Sequence, residues 1–349
     1  MDVILEFEKI KDPYCGLGQW CLHLGNELVQ NNKDPLSLGF YLPKEKFQKF
    51  SYLGPLFPLR KFHRQLPFFL PKTKIWHSVH QDSRFIPREG SGKLVLTIHD
   101  LNGYFERGRD EAYLEDLQKK IKRADALTYI SKFTKTQVEE FLEVTKSKPS
   151  YVIHNGISLK KCAHSQERPK KAPAGGFLFS IGTVVPKKNF HVLVEFLKLF
   201  KDLKIVLAGT LFHSYASDLK RKILEAGLED RFILCGEVTE EEKYWYYENC
   251  EAFIFPSLFE GFGLPVTEAM HFGKPLFLSN RTSLPEVGGD LAYYFEDFEP
   301  QSMKEVYDKG MKDFRENKPI LVRKLKERSL LFSWENAAKE YLEVYKNLL

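Results

Sequence analysis

The sequence predicts an α/β protein of two domains, each a parallel sheet covered by helices on both faces. Three observations carry that expectation. At 349 residues the chain exceeds the roughly 100 to 200 of a single domain. Short apolar runs alternate with helix-length amphipathic segments, the signature of strands joined by helical crossovers. Between the halves, residues 159–176 are polar, basic and rich in Ala, Pro and Gly, which reads as a linker.

In the first half, VILEF (3–7), KIWHSVH (74–80), KLVLTIH (93–99), ALTYI (126–130) and SYVIH (150–154) read as buried strands. In the second half the alternation is more regular: FLFSIG (177–182), KIVLAG (204–209), RFILCG (231–236), AFIFPS (252–257), PLFLS (275–279) and AYYF (292–295). Helices are expected between these strands at about 189–201, 214–227, 239–250 and 265–273. Three more follow residue 300, the last over 334–349 with Ser333 as its N-cap. Parallel sheets of this kind bind ligands at the carboxyl ends of their strands, where Gly182, Gly209, Gly236 and Ser257 fall. The expected domains are residues 1–165 and 166–330, with a terminal helix over 331–349.

Composition excludes other classes. With 43% hydrophobic and 28% charged residues the chain is neither disordered nor fibrous. Its five cysteines are scattered without a CxxC pair, which argues against a disulfide framework or structural zinc and for a reducing, cytoplasmic setting. No secretory leader is expected in MDVILEFEKI, and no apolar run of about 18 residues is present to span a bilayer. Charge is uneven: 29 Lys and Arg face 20 Asp and Glu over residues 1–175, against 23 and 27 over the rest. The two domains are therefore expected to meet different partners.

The chemistry concentrates in AFIFPSLFEGFGLPVTEAMHFGKPLFLSN, residues 252–280. A strand end is followed by a loop with Gly261 and Gly263, then by Pro265 as the expected first residue of a helix. Glycines there let backbone amides approach an anion, and the helix N-terminus adds its positive dipole end. Glu260 lies in the loop and Glu268 is expected in the helix's first turn, placed either to accept hydrogen bonds from a vicinal diol such as a ribose or merely to complement the dipole. In SIGTVVPKKNFHVL, Lys187 and Lys188 precede a helix expected to be N-capped by Asn189. Lysines at that edge can neutralise a departing diphosphate, or can simply be solvated.

The run SLFEGFGLPVTEAM, with Glu260 and Glu268 separated by seven residues, resembles the signature of retaining glycosyltransferases of family 4, which have the GT-B architecture of two Rossmann-like domains facing across a cleft. VVPKKN, HNGI (154–157) and SLPEVGGDLAYYF (283–295) resemble further segments of that family. The resemblance implies that Glu268 binds the ribose of a nucleotide-diphosphate sugar, that Glu260 contacts the hexose, and that the backbone of Gly261, Phe262, Gly263 and Leu264 lies against sugar and phosphate. It implies that Lys188 holds the diphosphate, with Lys187 where arginine is usual. Many members carry a phosphate-binding arginine directly after Gly182, where this chain has Thr183. It also implies a C-terminal helix packed back on the first domain, and same-face substitution in which the leaving diphosphate takes the acceptor's proton. Neither a cofactor nor a metal is expected, since no DxD-type triplet ends a strand.

In the first half, CGLGQW (15–20) is expected between the first strand and first helix, where the amides of Gly16 and Gly18 either face the donor or form a tight turn. LTIHDL places His99 and Asp100 at a strand end; His99 is either structural or, as the resemblance implies, in the active site, with Asp100 toward the acceptor. The pieces GLGQW, IHDL and PKKN together resemble the mannosyltransferase-like branch, which makes GDP-mannose the expected donor and polysaccharide or glycolipid assembly the expected setting. A sugar-nucleotide epimerase and a non-catalytic sugar-nucleotide binding protein remain alternatives. Residues 44–74 carry eight Lys and Arg, one acidic residue and six phenylalanines, and read either as a surface for a membrane or lipid-linked acceptor or as a loop whose phenylalanines are core. Nucleic acid ranks last, because no nucleic-acid motif accompanies the patch.

Overall fold

A computed structural model describes residues 1–12, 16–33, 36–106, 108–157, 167–212 and 214–349. The chain forms two compact units, Met1–Ser158 with Phe332–Leu349, and Leu159–Leu331. The expected boundary at 165/166 lies outside the described residues, as do Cys15 and Cys162.

Among the described residues, the first unit holds a seven-stranded sheet. Its strands are β1 (Val3–Glu6), β2 (Leu38–Leu42), β3 (Leu56–Pro58), β4 (Ile75–Ser78), β5 (Lys93–Ile98), β6 (Ala126–Tyr129) and β7 (Ser150–Val152), in the order β3-β2-β1-β4-β5-β6-β7. Every pairing is parallel. The five expected strands are present; β2 and β3 are additions. LGFYL in β2 is buried on both faces, so it lacks the alternation that marks a half-exposed strand. The three-residue β3 sits inside the basic, aromatic segment.

Among the described residues, the second unit holds six parallel strands: β8 (Leu178–Ile181), β9 (Ile205–Ala208), β10 (Phe232–Gly236), β11 (Ala252–Phe255), β12 (Leu276–Ser279) and β13 (Ala292–Phe295), in the order β10-β9-β8-β11-β12-β13. All six were expected. The strand order reverses direction between β8 and β11, and in the first unit between β1 and β4. A crevice opens at the carboxyl ends of such a reversal, because the flanking crossovers leave on opposite faces.

The last helix, Trp334–Leu348, belongs to the first unit, as expected. Ser333 caps it by accepting the Asn336 amide at 3.1 Å. Its Ala337, Ala338, Tyr341 and Tyr345 are buried with Trp20, Leu24 and Leu28 of the helix Gly16–Asn31. A polar anchor fixes the register: His77 Nδ1 lies 2.6 Å from the Tyr345 hydroxyl, and His77 Nε2 lies 2.7 Å from Thr97 Oγ1. Burial holds the His77 imidazole down at about 3, so this anchor is uncharged at neutral pH. Among the described residues no helix is long and apolar enough to cross a membrane.

Candidate active site

The reversal in the second sheet gathers the two motif loops. After β8 the chain passes Gly182 and the exposed Thr183, and makes a 3-10 turn at Pro186–Lys188. Asn189 ends that turn in the left-handed region at φ 58°, a conformation asparagine tolerates. Asn189 is therefore not an N-cap: the helix begins three residues later, at Val192. Gly209, at the end of β9 with φ 129°, is required by close approach, since a Cβ there would lie 2.0 Å from the Gly182 carbonyl oxygen. Backbone packs on backbone at the edge where the Lys187 and Lys188 loop starts.

After β11, the loop Pro256–Gly263 is tied to its neighbours by several hydrogen bonds. The Leu258 amide donates to the Lys187 carbonyl at 2.8 Å, the Glu260 amide donates to Thr282 Oγ1 at 3.1 Å, and Ser283 Oγ donates to the Phe262 carbonyl at 2.8 Å. Ser279 Oγ also donates to the Ser257 carbonyl. Gly263 then sits at φ 111° against Leu284, and the helix Leu264–His271 begins. Pro265 is its second residue rather than its first, because Leu264 already has helical geometry. Glu268 consequently lies just beyond the first turn, too far along to serve mainly the helix dipole.

The charged groups meet in two pairs. Lys188 Nζ lies 2.5 Å from Glu260 Oε1, with both side chains only about an eighth exposed at 13% and 12%, and the ammonium is 5.0 Å from the Phe255 ring centroid. Glu268 accepts from Lys243 Nζ at 2.8 Å on Oε1 and from the Tyr247 hydroxyl at 2.9 Å on Oε2. Burial alone would lower the Lys243 ammonium; Glu268 and Glu240 outweigh it and hold Lys243 above its ordinary value. Burial, then the Glu268 charge, keeps the Tyr247 hydroxyl protonated. One carboxylate is thus oriented by two donors, with lone pairs left for a ligand diol. Lys243 and Tyr247 escaped sequence reasoning: they stand in EEEKYWYYEN, which lacks helical amphipathicity, and only the fold brings them beside Glu268.

In the first unit, Gly16 and Gly18 are not in a turn between strand and helix. Both lie in the first turn of the helix Gly16–Asn31, because burial of Trp20, Leu24 and Leu28 extends the helical stripe back to them. The amides there belong to a helix N-terminus rather than to a glycine loop. His99 is 7% exposed; its Nε2 donates to the Val79 carbonyl at 2.8 Å, which makes Nδ1 the unprotonated nitrogen. Burial pushes its imidazole down to about 4, so it is a neutral hydrogen-bonding group. Asp100 accepts from the Asn102 amide at 2.9 Å and from the Asn102 side chain at 2.8 Å, fastening the following loop. At the reversal of this sheet, Glu6 is fully buried and pushed up to about 8 by that burial. Among the described residues, Glu6, Glu8 and His80 form the one group of three with spacing suited to a metal. The phenylalanines of 44–74 divide: Phe50 is core, Phe47 and Phe57 pack against core, and Phe62, Phe68 and Phe69 are exposed.

Two parallel α/β units, with the last helix returned to the first, define the GT-B class of fold. The solved sucrose-phosphate synthase of Thermosynechococcus elongatus shares it with a TM-score of 0.79 at 19% identity, covering 100% of this chain and 99% of that one. Anabaena HepE in complex with UDP-glucose does so at 0.76 and 15%, covering 99% and 100%. Residues 164–327 match the family model of the glycosyl transferases group 1. It is similar to the O-antigen chain mannosyltransferase B of Escherichia coli, 24% identical over the whole of both chains. It is 29% identical over 74% of its length to the serotype-specific mannosyltransferase WbdA of Escherichia coli, of which it spans about a third, 34%.

Proposed function

We propose that the chain is a retaining mannosyltransferase that moves mannose from GDP-mannose to a saccharide or lipid-linked acceptor in polysaccharide or glycolipid assembly, working in the cytoplasm at the inner face of a membrane. The observation that carries the reading is the gathering of Lys187, Lys188, Glu260 and Glu268 at the reversal of one parallel sheet. In this reading Glu268 accepts the ribose hydroxyls, while Gly261, Phe262, Gly263 and Leu264 offer backbone to the sugar and phosphate. Glu260 orients the hexose. Lys188, with Lys187 and Thr183 beside it, meets the diphosphate, and that charge grows as the bond between the sugar's anomeric carbon and the phosphate oxygen breaks. The acceptor oxygen attacks on the same face and its proton passes to the departing phosphate oxygen, so no protein nucleophile is needed. His99 offers hydrogen bonds to the sugar and Asp100 lies toward the acceptor. The lysines supply the charge a metal would otherwise bring, so activity is expected to survive excess EDTA; full loss restored by Mg²⁺ would refute that point.

A thermal-shift panel of nucleotide sugars tests the donor. A ligand at about 100 times its dissociation constant stabilises by roughly 2.7 kcal/mol, or about 5–10 °C for a unit of this size. GDP-mannose should give the largest shift. A larger shift with UDP-glucose would move the donor assignment, and no shift with any nucleotide sugar would overturn it.

A further inference from the structure

Beyond the second β-sheet's site, the first unit carries a cationic cavity of about 710 Å³. Lys61, Arg64, Arg84, Lys119, Lys120 and Arg123 line it, opposed by Asp116. Three of these cations are built into the wall. Arg123 donates to the carbonyls of Pro87, Arg88 and Gly92 at 3.1, 3.0 and 2.8 Å. Lys120 Nζ donates to the Gln81 carbonyl at 2.8 Å and pairs with Asp116 at 2.7 Å. Arg64 pairs with Glu8 at 2.5 Å. Lys61, Arg84 and Lys119 are exposed and have no partner among the described residues. The wall is fixed, and the uncompensated charge sits at the mouth.

Beside that mouth lies an apolar cluster. Lys61 and Arg64 bracket Phe62 in the 3-10 turn Lys61–Arg64, and Phe68 and Phe69 follow in the turn Pro67–Phe69. Phe62 and Phe69 rings are 5.7 Å apart and Phe68 and Phe69 rings 4.1 Å apart, while the Arg88 guanidinium lies 5.4 Å from the Phe68 centroid. Even so packed, Phe62, Leu66, Phe68 and Phe69 remain 43%, 41%, 54% and 53% exposed. Water is a poor neighbour for so much contiguous apolar surface.

We infer that this face docks the protein on an anionic lipid bilayer, with a headgroup phosphate in the Lys61–Arg84–Lys119 mouth and Phe62, Leu66, Phe68 and Phe69 in the interface. Charge complementarity selects an anion, and the aromatic rings select its setting. The rings pack on one another rather than standing apart as separate platforms for bases, which favours a membrane over a nucleic acid. The docking surface rests on the transferase reading only for what the membrane carries, the lipid-linked acceptor.

Sedimentation with vesicles tests it, using the full chain against phosphatidylcholine alone and against phosphatidylcholine with a quarter phosphatidylglycerol. Wild type should sediment with the anionic vesicles and stay in solution with the neutral ones. The variant Lys61→Glu/Arg84→Glu/Lys119→Glu should lose roughly 100-fold in partition. Phe62→Ser/Phe68→Ser/Phe69→Ser should keep adsorption in low salt and lose it near 0.15 M salt, where charge alone is screened. Thermal midpoints near wild type show that both variants fold. Equal sedimentation with both vesicles, or variants that sediment like wild type, would overturn the inference. So would tighter binding to a single-stranded RNA oligonucleotide that the charge variant loses. Calorimetry of wild type with GDP-mannose separates the two proposals: vesicle binding without nucleotide-sugar binding refutes the transferase reading alone, and the converse refutes the surface alone.

Discussion

Replacing Glu268 by alanine removes a ligand for the ribose and, at the same time, the acceptor for two protein donors. In the free protein its carboxylate holds the Lys243 ammonium at 2.8 Å and the Tyr247 hydroxyl at 2.9 Å. The Lys243 side chain is 14% exposed, so the variant leaves a poorly hydrated ammonium beside the Glu240 carboxylate at 3.0 Å. Losing two charge-assisted hydrogen bonds should cost about 3–6 kcal/mol of stability, or roughly 6–24 °C in melting temperature. Losing the ribose contacts should cost a further 1.5–3 kcal/mol of donor binding, about 10- to 150-fold in dissociation constant. Glu268→Gln keeps the shape and an acceptor oxygen, so it should recover much of the stability while still binding donor weakly. Calorimetry and thermal denaturation on both variants separate the two effects. If Glu268→Ala melts like wild type and binds donor with unchanged affinity, both the packing and the ribose assignments fail.

Lys188→Ala should lower kcat more than it raises the donor KM, because diphosphate charge grows toward the transition state; a raised KM with kcat untouched would make Lys188 a ground-state clamp. Gly209→Ala places a methyl group 2.0 Å from the Gly182 carbonyl oxygen at φ 129°, and should destabilise the second unit by more than about 3 kcal/mol; a wild-type melting curve would contradict that geometry. Stability should peak near pH 6.5. His77 and His99, held at about 3 and 4 when folded, stay neutral while the unfolded chain takes up protons below about 6.5, so their contribution is lost as pH falls through the folded values. Glu6, held up at about 8, keeps its proton where the unfolded carboxyl has lost it, so its contribution falls away as pH rises through about 8. Glu6→Gln should flatten the alkaline side of a melting-temperature profile and steepen the acid side between about 4.5 and 6.5, because the Glu6 contribution declines over that whole window; an unchanged alkaline fall would remove Glu6 as its cause.

Much of the second unit was legible because most of its strands are short apolar runs closed by glycine, proline or serine and followed by a helix-length segment. Its motif loops could be placed at a sheet edge from spacing alone. The partners of Glu268 could not, since Lys243 and Tyr247 are 25 and 21 residues away and meet it only across packed helices. Local conformation misled at Asn189 and at Gly16–Gly18. Asparagine serves a left-handed turn end as well as an N-cap, and a buried tryptophan stripe can carry glycines into a helix. In the first unit β2 was hidden by its complete burial, and β3 by lying among basic residues whose pattern is not that of a strand. The cationic cavity draws Arg84, Lys119, Lys120 and Arg123 from outside the 44–74 segment, so that segment held only two of its six cations, Lys61 and Arg64.

Product analysis decides whether mannose is transferred with retention, as proposed. Incubation of the purified chain with GDP-mannose and a mannose-terminated saccharide, followed by proton NMR of the product and of residual donor, should show released GDP and a new α-linked mannose whose anomeric configuration matches the donor's. A β-linked product would contradict retention, an epimerised donor would indicate an epimerase, and donor binding without transfer or hydrolysis would reduce the protein to a sugar-nucleotide carrier.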